Sequence, residues 1–162
     1  IKLYNFICCK QKEDGSWFYN PYSENSFIDC FHSAFIIKNI IKTNKIIKLN
    51  ESKIVINSGF RYIENNFKDS KTGLYKRFSI QNKPGLIKFD LYDNAEMLNL
   101  YLLLNKNEDA VKLNKSISKK FIDGNDIYSI IDRFNFKRNK NTLRWAVLPY
   151  LYSLSKLKNE KA

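Results

Sequence analysis

Apolar residues recur at three- and four-residue steps along most of this chain. From Phe27 the series runs Cys30, Phe31, Ala34, Ile37 and Ile41, one face of an amphipathic helix over 27–43. Ser26 is placed to cap it. Ile54, Val55, Ser58, Gly59, Tyr62 and Phe67 mark a second helix over 51–67, with Asn50 as its cap. A leucine-rich helix follows over 91–105. Ala110, Val111, Leu113, Ile117 and Phe121 predict another over 108–122. Leu3, Phe6 and Ile7 read as the end of a helix over 1–11. The last helix covers 142–157, where Pro149 predicts a kink or an early turn.

The connections alternate in length. Segments 12–26, 68–90 and 123–141 are long, whereas 44–50 and the turn at Lys106–Asn107 are short. Gly73, Pro84 and Gly85 punctuate the second long segment. The third is expected to hold a helical turn at Ile127–Asp132. In stacked antiparallel helices, alternate connections fall at opposite ends, so the three long ones share an end. Each begins with an acidic residue near a glycine, followed by an aromatic: "KEDGSWFY", "KDSKTGLYKRF" and "IDGNDIYSIIDRF". That is a degenerate repeat. The expected fold class is all-α, with antiparallel helical hairpins in a single domain over 1–162.

Composition narrows the classes of function. With 162 residues, 44% hydrophobic and 15% aromatic, the chain can bury a real core. Five glycines and three prolines suit long helices with few loops. The formal charge is +12, but the lysines are dispersed and form no nucleic-acid-binding signature, so no nucleic-acid partner is expected. Cys8, Cys9 and Cys30 are odd in number, two are adjacent, and none has metal-ligand spacing. Reduced thiols, a cytoplasmic location and no metal or cofactor are the expectation. No apolar run reaches the ~20 residues of a membrane span. Ile1 already lies in helical pattern, which reads as a start inside a larger protein.

Two motifs carry a family resemblance: "DGSWFY…IDCFHSAFIIKNI" and, near the end, "LRWAVLPYLYSLS". With the hairpin organisation they resemble the α/α-toroid (six-hairpin) proteins, in particular those encoded among bacterial surface-polysaccharide biosynthesis genes. A full toroid needs about twelve helices and six are counted here, so the chain resembles the C-terminal half. The resemblance implies a carbohydrate-handling protein, lyase- or epimerase-like if it is an enzyme. The alternative is a non-catalytic glycan- or protein-binding scaffold that dimerises.

The candidate chemistry sits where helices follow long loops. Asp29 and His32 share one side of a first helical turn. There Asp29 can orient an imidazole that exchanges protons near neutral pH, or the pair can be purely structural. Tyr92, Glu96 and Asn99 form a polar stripe, with Asp93 one step aside. Arg144 and Trp145 open the last helix. Arg144 could stabilise an anion beside a uronate carboxylate. Asp14, Trp17 and Tyr19 belong to a turn that either staples hairpins together or offers a sugar platform. His32, Tyr92 and Arg144 are the expected catalytic residues. Asp14, Trp17, Tyr19, Asp29, Glu96 and Trp145 are the expected substrate contacts. The expected partner is a carbohydrate, an acidic glycan included, with a second copy or a missing N-terminal half completing the fold.

Overall fold

A computed structural model describes all residues except 24, 82–84 and 160–162. The helical segments form close to their expected bounds: α1 (Lys2–Cys9), α2 (Cys30–Asn44), α3 (Ser52–Asn66), α4 (Leu91–Leu103), α5 (Asn107–Phe121) and α6 (Leu148–Asn159). A π-helical turn, Leu143–Val147, leads into α6. Pro149 has no N–H, and it falls just after the Leu148 amide bonds back to the Leu143 carbonyl, where the π-helical turn gives way to α6. Its effect is therefore a change of helical pitch just upstream rather than a kink inside α6. Pro84 lies outside the described residues. No described helix is long and apolar enough to cross a membrane.

The all-α expectation is wrong. Among the described residues, six short strands lie in the long connections: β1 (Ile28–Asp29), β2 (Phe78–Ile80), β3 (Ile87–Asp90), β4 (Ile122–Asp123), β5 (Asp126–Asp132) and β6 (Lys137–Lys140). β1 pairs with β2, and β5 is flanked by β3, β4 and β6, all antiparallel. The chain is thus a mixed helix-and-sheet fold, not a piece of an all-helical ring. The expected helical turn at Ile127–Asp132 is strand β5. Gly124 and Asn135 take left-handed backbone angles at the two ends of that strand, which lets the chain double back into hairpins. Asp132 organises the second hairpin by accepting from the Phe134 and Phe136 amides at 2.9 Å and from Arg138 at 2.8 Å.

These pairings place the three long connections together. β1 joins the first to the second, and β3–β5 joins the second to the third. α4 runs through the centre, against α2, α5 and α6, and α3 packs behind α2. Leu91, Ala95, Met97, Leu98 and Leu100 of α4 are fully buried. Asn94 ties α4 to the second connection, donating to the Tyr75 and Asp90 carbonyls at 3.1 and 2.8 Å and accepting from the Tyr75 amide at 2.8 Å. Neither expected cap residue caps. The N-cap of α2 is Asp29 rather than Ser26, and that of α3 is Glu51, with no side-chain bond, rather than Asn50.

The Asp14–Trp17 turn is a structural staple. Asp14 accepts from the amide and hydroxyl of Ser16 at 2.9 and 2.6 Å. Trp17 is 6% exposed, lies over Gly59 of α3 and donates its indole N–H to the Ile7 carbonyl at 2.9 Å. A ring this buried has no free face for a sugar. That corrects the platform expectation for Trp17.

Candidate functional site

The same four-residue pattern opens two neighbouring helices: Asp29-Cys30-Phe31-His32 at α2 and Asp90-Leu91-Tyr92-Asp93 at α4. In each the first Asp is the N-cap, accepting a backbone N–H inside the turn (His32 at 2.7 Å, Tyr92 at 2.9 Å). Acidic groups are favoured there by the positive end of the helix. In each, an aromatic follows two residues later and a titratable side chain three later. α2 and α4 pack together and both begin at the strand end, so the two patterns face a common space. The π-helical turn before α6 adds Trp145.

That space is a pocket of ≈ 360 Å³ lined by Asp29, Phe31, His32, Arg77, Asp90, Tyr92, Asp93 and Trp145, a size suited to a small ligand. A wider hollow of ≈ 450 Å³ lies between α1 and residues 48–51, but it has no oriented acid–base pair. In the ≈ 360 Å³ pocket, Asp29 holds His32 by Nδ1, at 2.7 and 2.9 Å from its two carboxylate oxygens. With the Nδ1 proton given to Asp29, Nε2 carries the free lone pair. The imidazole side chain is 43% exposed and the carboxylate is buried. Phe31 stacks on Tyr92 with centroids 4.6 Å apart, and Tyr92 meets Trp145 edge-on at 5.8 Å. These rings make one apolar wall.

The rest of the lining is polar. Arg77 is held in place by backbone bonds: its carbonyl accepts from Cys30 at 2.9 Å and its amide donates to the Lys88 carbonyl at 3.0 Å. Its guanidinium pairs with Asp90 and stands 3.9 Å from Asp93. Burial pushes the Asp90 carboxyl up, against the pull of the Tyr92 amide and Arg77. Burial, and then the neighbouring Asp90, push Asp93 well above the ordinary carboxylate range. Burial also raises the Tyr92 phenol, with Glu96 and Asp93 adding to it. Among the described residues no three His, Cys, Asp or Glu side chains are grouped as metal ligands.

Raised carboxyls have a consequence for stability. A folded state that keeps Asp93 protonated above the unfolded pKa of about 3.9 binds more protons than the unfolded chain over that window. The contribution is fully present below the unfolded pKa and is lost as pH rises through the folded one. Asp93→Asn removes the titration. Thermal unfolding from pH 4 to 8 should therefore show the variant gaining on the wild type as pH rises. A difference independent of pH would mean that Asp93 ionises normally.

The pocket gathers four of the expected residues: Asp29, His32, Tyr92 and Trp145. Two more stand beside it. Tyr19, 54% exposed, is edge-on to His32 at 4.6 Å, and Arg144 covers the Trp145 ring at 4.7 Å. Glu96 lies one turn further along α4, in a buried ion pair with Lys38 of α2. Asp14 and Trp17 do not line the pocket. Sequence reasoning missed Phe31, Arg77, Asp90 and Asp93 as pocket residues. The repeated Asp-x-aromatic-titratable pattern was a usable signal for the first and the last two. Nothing local marks Arg77, which arrives by strand pairing.

No protein-family model matches the sequence, and no curated protein matches it. Solved structures do. A protein described as a novel alpha-amylase from Clostridium perfringens superposes with a TM-score of 0.71 at 16% identity, over 98% of this chain and 48% of that one. A sugar epimerase from a ruminal bacterium superposes with a TM-score of 0.73 at 14% identity, over 96% of this chain and 46% of that one. At such identities the likeness is one of fold. The chain spans about half the length of each.

Proposed function

We propose that this chain handles carbohydrate, binding a sugar in the pocket at the starts of α2 and α4 and moving a proton at a sugar carbon as an epimerase-type reaction requires. The observation that carries the reading is His32, oriented through Nδ1 by Asp29 and set beside the Phe31–Tyr92–Trp145 wall. Aromatic faces pack on the C–H faces of pyranose rings, and an oriented imidazole is a competent base near neutral pH. Two proteins that share the fold are described as an alpha-amylase and a sugar epimerase, which supports the substrate class. Bacterial surface-polysaccharide assembly is the setting we propose, on the strength of the two sequence motifs.

The lining favours an epimerase-like over a lyase-like reaction. Three carboxyls face the space, and its one guanidinium is already paired. A uronate would bring its charge beside Asp29 and Asp90, and Arg144 stands outside the lining. The test is incubation with neutral reducing sugars (glucose, galactose, mannose and maltose) in D₂O. Binding, with exchange of the C2 proton followed by NMR, is expected. Absence of both across the set would end this reading.

A second reading is favoured by the exposed face of the last helical segment, where Leu143, Leu148, Leu151 and Tyr152 are all about half exposed or more. A non-catalytic module that docks a second copy or another protein would use that face. Sedimentation at low concentration separates the two readings: an obligate dimer with no sugar affinity supports this one.

A further inference from the structure

Among the described residues, one buried side-chain atom lacks any hydrogen-bond partner: Oδ2 of Asp93. An orphaned polar atom in a native interior calls for an explanation. The residue is 1% exposed, yet it lines the same pocket as His32. The nearest cation is the Arg77 guanidinium at 3.9 Å, already paired with Asp90. Its neighbour Asn94, by contrast, has both its amide nitrogen and its amide oxygen bonded. Asp93 holds on α4 the position that His32 holds on α2, third after the capping Asp. The two titratable groups therefore sit at equivalent points of adjacent helices and face one space.

We propose that Asp93 is the second catalytic residue of this site, contacting the sugar's carbonyl oxygen and exchanging a proton with it while His32 works on the adjacent carbon. This rests on the proton-transfer reading given above. In the step, the C–H bond next to the carbonyl breaks and its proton passes to His32 Nε2. The electron pair forms the C=C bond of an enediol. The carbonyl oxygen takes the proton of the Asp93 carboxyl, leaving a carboxylate. Charge balances, because an imidazolium and a carboxylate replace two neutral groups. Reversal returns both protons, and the carbon is inverted when the planar enediol turns its other face to the His32 imidazolium before the proton returns. No oxidant, reductant or co-reactant enters.

The surroundings suit a carboxyl that starts neutral. Facing it are Asp29 and Cys30 from α2, Arg77 from the second connection, and Asp90 and Glu96 from its own chain segment. Three carboxyls stand against the Arg77 guanidinium, paired with Asp90, and the Lys38 ammonium, paired with Glu96. Once Asp93 has given up its proton, Arg77 is near enough to stabilise the carboxylate. These carboxyls disfavour an anionic sugar, and the carbonyl the step needs calls for a reducing one, so the substrate class is an uncharged reducing sugar.

The experiment compares wild type and Asp93→Asn with the neutral sugars named above and with glucuronate. C2 deuterium exchange is followed by NMR, and infrared difference spectra are taken at pH 7 with and without sugar. Exchange should fall about a hundred-fold in the variant while sugar still binds. Sugar should shift a protonated-carboxyl band that the variant lacks. Exchange at the wild-type rate in Asp93→Asn overturns the proposal and leaves the His32 reading intact. Loss of binding and exchange in the wild type overturns both. Should the variant fail to fold, the wild-type spectrum decides: a carboxyl band that sugar does not move sinks the role for Asp93. Glucuronate exchanged faster than glucose sinks the substrate class.

Discussion

Gly15→Ala is expected to destabilise the fold by about 3 kcal/mol or more, which lowers the melting temperature by on the order of 10 °C. Two effects combine. Gly15 holds φ +92, a left-handed angle at which a side chain is strained. A Cβ there would also collide with the carbonyl of Ser58, its carbon only 2.6 Å away, and helical backbone cannot step aside cheaply. The turn cannot retreat either. Trp17 is fixed over Gly59 and to the Ile7 carbonyl, and Gln11 bonds the Gly15 and Val55 carbonyls at 3.0 Å each. Gly124→Ala is the matched control. Gly124 also has a positive φ, of +56, but nothing stands within 4 Å of its Cβ position. It should cost only the backbone strain, about 1 kcal/mol. Chemical denaturation of both variants checks the pair. Equal losses would show that packing against Ser58 contributes nothing.

His32→Gln should abolish proton exchange at the sugar carbon, by two to four orders of magnitude, while the protein remains folded. The cap survives, because Asp29 accepts the backbone N–H of residue 32 at 2.7 Å whatever its side chain. The ring is 43% exposed, so little packing is lost. Glutamine has no basic nitrogen, and the lone pair that Asp29 keeps free on Nε2 disappears with the imidazole. Asp29→Asn is the companion. It removes the carboxylate that fixes the tautomer but leaves a ring, so exchange should fall less than in His32→Gln. Circular dichroism establishes folding, and C2 exchange in D₂O gives the rate. Unchanged exchange in His32→Gln removes this residue from the chemistry.

What the chain specifies locally is the helices. A 3.6-residue period persists over 13 to 15 positions in α2, α3, α4 and α5, long enough to stand out against chance. The lengths of the connections then say which helix starts are neighbours, so Asp29, His32, Tyr92 and Trp145 could be placed together before any coordinates. Tertiary structure decided the rest. The strands have two to seven residues, and most are too short to display alternation. They exist because loops brought side by side satisfy one another's backbone groups. Ile127–Asp132 has an apolar content that suits helix or strand alike, and only its partners chose. Arg77 reached the pocket through such a pairing. Trp17 was drawn inward because Gly59, forty-two positions away, leaves room for its ring. Asp93 was read as a bystander because a side chain's burial, and the upward push that burial gives its carboxyl, depend on neighbours that sequence spacing does not reveal.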